Sequence, residues 1–179
     1  MRPVTVLIFC VLLSPAAALA QTESNPVSSA VRDFVVRQTK NLLGAAEEMP
    51  ADKYSFHPTP EQMTFGLLVA HVVGEDAFLC SKIGSTPAPA MAKVTGTDPK
   101  DKLVAALKTS TDFCLQALAK TDDSRLGESL VLFGGHTATR AQAMINLVTD
   151  LSDHYSLAAT ELRLNGQTPP SAMGAMNMK

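Results

Sequence analysis

Four stretches of this 179-residue chain repeat apolar residues with the 3.6-residue period of a helix buried along one side. No stretch shows the alternation that a half-buried strand requires. Each apolar stripe has to bury itself against another, so the chain is confined to helices packed on helices. The first stripe carries Val27, Val31, Phe34, Val35 and Leu42, interrupted by the polar Gln38, and should run from Pro26 to about Met49, before Pro50. The second carries Phe65, Leu68, Val69, Val72, Leu79, Cys80 and Ile83 and stops at Gly84. Thr59-Pro60-Glu61-Gln62 reads as its start, with Thr59 as cap and Pro60 in the first helical position. The third opens at Pro99 and buries Leu103, Leu107, Phe113, Cys114 and Leu118; the fourth, capped by Thr137, runs from about Ala138 to Leu164 and ends at Asn165-Gly166. The expected fold is all-α, a four-helix bundle over residues 21–170 with no strand required.

The connections are uneven. Residues 50–60 are punctuated by proline, with Tyr54 and Phe56 placed to pack back on the bundle. Residues 85–98 and 122–136 are long and aperiodic, which predicts crossings over the ends of the bundle instead of tight hairpins. The methionine-rich residues 171–179 read as a flexible tail that binds soft metals at most weakly.

The first 20 residues stand apart from this pattern. Arg2 precedes an apolar run from Val4 to Leu13, and Ala18-Leu19-Ala20 has the small-residue form of a cleavage site. A secretory signal peptide over residues 1–20 is the expectation, giving an exported mature chain from Gln21, in the periplasm or outside the cell. The apolar run is too short for a transmembrane helix. Loss of Arg2 leaves 14 basic against 17 acidic residues, a net charge of −3, with no basic cluster and no Trp. Nucleic acid is thereby excluded as an expected partner, because phosphate binding needs concentrated positive charge. Two cysteines remain in the mature chain, Cys80 and Cys114, and two readings stand: a disulfide between separate helices, or two buried thiols.

Histidine is scarce, and position separates the four. His71 interrupts an apolar run inside the second helix, and His154 follows Asp150 by four residues inside the fourth, so those two side chains share a face. If the two helices pack, His71, Asp150 and His154 form a two-histidine, one-carboxylate set suited to a divalent ion that keeps an open position. Glu75, four residues after His71, is a fourth ligand, an outer hydrogen-bond acceptor or a solvated side chain. His57 and His136 fall at loop and helix edges, where surface or capping roles are expected.

Several segments resemble the DinB-like family of metalloenzymes, also called DinB/YfiT-like. They are KYSFHPTPE at 53–61, the T-F-G-x-L-x-x-H-V pattern ending at His71-Val72, FLCS at 78–81, STDFC at 110–114, and DHYSL followed by ELRLNG and Pro169-Pro170. The resemblance implies an up-down-down-up four-helix bundle and a Zn²⁺ or Ni²⁺ site of three histidines. Two of its ligands fall on His71 and His154, and the third falls on Asp150. Where relatives commonly continue with Gln, this chain has Leu157, and Glu161-Leu162-Arg163 replaces a Tyr-Leu-Arg pattern. The implied functions are a metal-dependent hydrolase or thiol transferase acting on a small molecule, or an exported non-catalytic bundle that binds a small ligand or a protein. Relatives often form homodimers through a bundle face, which makes a homodimer one expected assembly.

Overall fold

The computed structural model describes residues 24–176, with side chains described through Met173. The expected signal peptide lies outside the described residues. The elements are α1 (Pro26–Glu48), α2 (Phe65–Ile83), α3 (Lys100–Leu118), β1 (Ser129–Val131), β2 (Thr137–Thr139), α4 (Arg140–Leu164) and α5 (Pro170–Met176). The four long helices form the expected all-α bundle, α1 and α2 each packing against both α3 and α4. Its interior is filled by Val35, Leu42, Phe65, Leu68, Ile83, Leu103, Leu107, Leu118, Met144, Leu147 and Leu162, all at most 3% exposed. No helix among the described residues is long and apolar enough to cross a membrane.

Long-range contacts fix the helix directions. The Nζ of Lys100, at the start of α3, donates to the carbonyls of Glu47 and Met49 at the end of α1, while Arg32 near the start of α1 reaches the Thr121 carbonyl beyond α3. α1 and α3 are therefore antiparallel. Cys80 and Cys114 are joined as a disulfide with 5.0 Å between their Cα atoms, and Gly84 sits against Ala117, so α2 and α3 run parallel. Parallel neighbours cannot be joined by a turn. The 85–98 segment accordingly runs back along the bundle to the start of α2, where Gly96 meets Gly66 and Leu67, instead of crossing one end as the sequence suggested.

Two helix starts differ from their sequence expectations. α2 begins at Phe65, capped by Thr64, whose hydroxyl accepts from the Leu67 amide at 3.2 Å. Thr59 and Pro60 lie in the preceding turns. The orphan amides of the first turn are taken by the 50–60 loop, Phe65 N–H donating to Phe56 and Gly66 N–H to Tyr54 at 2.9 and 2.8 Å. Phe65 also packs edge-to-face on the Tyr54 ring, so tertiary anchoring overrode the local cap signal. α4 begins at Arg140 with Thr139 and Gln142 in a reciprocal capping box. Thr137, the expected cap, lies in β2 opposite Val131. The β1–β2 hairpin is the strand content that the sequence reading left out: each strand is three residues long, too short for a periodicity to register.

At the N-terminus of α1, Asp123 receives the amides of Val27 and Ser28 and the Ser28 hydroxyl at 2.6–3.0 Å, a cap delivered from 95 residues away. Residues expected to begin the flexible tail belong to α5, where Pro170 rests on Gly44 and the Ser171 amide donates to the Tyr155 hydroxyl at 2.9 Å.

Candidate metal centre

α2 and α4 cross the bundle in opposite directions, so ligands spaced one turn apart on each helix meet in reverse order. His71 comes against His154, with ring centroids 4.8 Å apart. Along each helix the four-residue spacing brings His71 Nε2 to 3.3 Å from Glu75 Oε1, and His154 Nδ1 to 3.3 Å from Asp150 Oδ2. One ligating atom from each of His71, Glu75, Asp150 and His154 lies within 4.8 Å of all the others. The three residues expected from sequence are thus brought together, and Glu75 joins them.

This donor set fits a divalent cation. Nitrogen and oxygen donors bind such an ion at about 2.0–2.2 Å, so donor atoms up to 4.8 Å apart would draw closer around it. The His154 ring is already oriented. Its Nδ1 lies 2.8 Å from the Asp150 carbonyl, which can only accept, so Nδ1 carries the hydrogen and Nε2 keeps its lone pair free for a metal. Glu75 Oε2 and Asp76 Oδ2 are buried acceptors without a hydrogen-bond partner, and a cation would offset their charge. Exposure is graded: the His71 side chain is 41% exposed and that of His154 is 9%, leaving solvent access on the His71 side.

The surroundings pull the protonation of the Glu75 and Asp150 carboxyl groups in opposite directions. Burial, and then the Asp150 carboxyl beside it, push Glu75 up to about 8, and burial pushes the neighbouring Asp76 up to about 7. Burial would raise Asp150 as well, but contact with His154 and Glu75 holds it below the usual carboxylate range. Burial would lower His154, yet the Asp150 carboxylate and carbonyl hold it above the ordinary histidine value. His71 is lowered, first by burial and then by the charge of His154. The cluster therefore consists of groups whose protonation a metal would displace.

Glu75 and Asp150 also line a cavity of about 220 Å³, closed on its other side by Leu79, by Leu132, Phe133 and His136 of the hairpin, and by Asn146. His136 is exposed, as the sequence suggested, and it also lines this cavity. His57 stays in its loop, donating to the Thr59 carbonyl at 2.7 Å. Glu75 had a sequence signal in its spacing from His71. Asp76, 1% exposed beneath the cluster, had none, because an acidic residue in a helix is ordinarily solvated.

An antiparallel α2–α4 pair that brings together two histidines and two carboxylates gives a helical bundle with a cluster able to hold a metal ion. The model of the DinB superfamily matches residues 35–158, and the chain belongs to that superfamily. Among solved structures, it is similar to the mycothiol-dependent maleylpyruvate isomerase and to a histidine-to-alanine mutant of that enzyme. Each has a TM-score of 0.60 and 14% identity, with 73% of this chain and 60% of the other covered. At that identity the likeness is one of fold, and this chain matches less than two thirds of the isomerase's length. No curated protein matches.

Proposed function

We propose that the chain is a divalent-metal-dependent enzyme acting on a small molecule, with Zn²⁺ or Ni²⁺ held by His71, Glu75, Asp150 and His154. The observation that carries this reading is the convergence of four donors from two helices, with His154 Nε2 left free by the bond that Nδ1 makes to the Asp150 carbonyl. With a coordination position left beyond these donors on the solvent-facing His71 side, a divalent ion there would supply Lewis acidity and a more acidic bound water. The chain's own residues contribute the rest. Asp150 fixes the His154 ring, His71 leaves an approach from solvent, and the hairpin lines an open cavity on the Glu75–Asp150 side. Hydrolysis fits better than thiol transfer, because two carboxylate ligands cancel the charge of a divalent ion and so weaken its hold on a thiolate.

A non-catalytic binding bundle is the second reading. Its support is the pairing of His154 with Asp150 and of His71 with Glu75 at 3.3 Å, contacts that histidine and a carboxylate make on their own account. We also propose that the protein is exported after cleavage at Ala20. The Cys80–Cys114 disulfide supports this, since such bonds persist in oxidising compartments.

Elemental analysis of untagged protein recovered from the periplasm separates the readings. The expected result is near one Zn or Ni per chain with Gln21 at the N-terminus, and loss of the metal in His71→Ala with little change in melting temperature. Metal retained in the variant would discard this ligand set, and no metal after reconstitution would favour the binding bundle.

A further inference from the structure

The cavity beside the cluster has an asymmetric wall. Phe133 stacks on Phe78 with ring centroids 3.9 Å apart and an angle of 26° between planes, yet remains 51% exposed. A ring held on one face and open elsewhere is a ready-made apolar platform. The hairpin tip fixes its position: Leu132 N–H donates to the His136 carbonyl at 2.7 Å, and Gly135 N–H and His136 N–H donate back to Leu132 and Phe133 at 3.2 Å. Gly134 and Gly135, with φ of 65° and 78°, supply the left-handed backbone that this tight return needs. Opposite Phe133 stand Glu75 and Asp150, and the exposed His136 and Asn146 offer hydrogen bonds beside them.

Size and charge narrow the occupant. A cavity of about 150 Å³ suffices for benzene, so about 220 Å³ has room for a single ring with a small substituent, and any larger body would extend through its open side. Two neutral imidazoles, two carboxylates and a divalent ion sum to zero charge, and the buried Asp76 beneath them can only add negative charge, so the centre offers no net attraction to an anion.

We infer that the hairpin, through Phe133, selects a small uncharged molecule with a planar apolar body, and turns its single polar group toward the Glu75–Asp150 side. This assignment rests on the metal-centre reading for its charge argument and on the Phe133 platform for its shape. The polar group is an amide, ester or alcohol, not a carboxylate.

The test uses three probes on zinc-loaded protein, followed by NMR titration: benzamide, benzoate and acetamide. Benzamide should bind at least tenfold more tightly than either of the others, and Phe133→Ala should weaken benzamide about tenfold while zinc content stays unchanged. Because Phe133 is half exposed at a turn, the variant is expected to fold, and its melting temperature confirms this. Benzoate binding as tightly as benzamide, or benzamide indifferent to Phe133→Ala, overturns the proposal. Zinc stoichiometry in the same samples reports separately on the metal reading. In a chain that takes no zinc, benzamide binding and its loss in Phe133→Ala still decide whether Phe133 is the platform.

Discussion

Glu161 is a buried acidic residue of the core that lies apart from the His71–Glu75–Asp150–His154 cluster. It is 3% exposed in α4, its Oε2 lacks a hydrogen-bond partner, and burial pushes its pKa up to about 7. The folded chain therefore holds this proton more tightly than the unfolded one. Its contribution to stability is complete below about pH 4.5 and is lost as pH rises through about 7. Glu161→Gln should leave stability near pH 5 almost unchanged and raise it at pH 8 by at most about 3 kcal/mol, read from urea unfolding at both values. An equal effect at the two pH values would show that Glu161 is not buried as an acid. At the metal centre, by contrast, residue identity was informative: His71, Asp150 and His154 were singled out because histidine is scarce and the Asp-His spacing is one helical turn. The burial of Asp76 and the place of His136 beside the cavity were not legible, since one needed the depth of the bundle and the other the path of a hairpin.

At the scale of elements, the disulfide does what no loop can do for α2 and α3. Parallel neighbours are joined by a connection that returns along the bundle, and the Cys80–Cys114 bond closes a separation of 34 residues at the far end from that loop's exit onto α3. Loop-closure entropy assigns such a bond roughly 4 kcal/mol. Unfolding the protein with and without reductant should show a loss of that order, and the Cys80→Ala/Cys114→Ala double variant should show the same loss in both conditions. Insensitivity of the parent protein to reductant would mean that the bond does not form. The helices themselves were legible because fifteen or more residues of one period average out local exceptions. Their starts were not: Thr59 and Thr137 are good caps locally, but the carbonyls of Tyr54 and Phe56 and the pairing of β1 with β2 decided where α2 and α4 begin.

For the molecule as a whole, the up-down-down-up order depends on a close crossing of backbones. A methyl group at Gly66 would run into the Gly96 carbonyl, while one at Gly74, in the same helix, would meet nothing within 4 Å. Gly66→Ala should therefore lower stability by about 2 kcal/mol as the returning loop is displaced, whereas Gly74→Ala should raise it by up to about 1 kcal/mol through helix propensity. Similar melting temperatures for the two variants would place the loop elsewhere. Periodicity and spacing, which are properties of the chain alone, were enough for the four helices, their buried faces and the residue types able to hold a cation. Tertiary structure alone decided that α2 and α4 oppose each other so that Glu75 joins the cluster, that Asp76 and Glu161 are buried, and that a hairpin walls the cavity. Those outcomes depend on helix direction and on contacts between residues far apart in the chain, which no local pattern encodes.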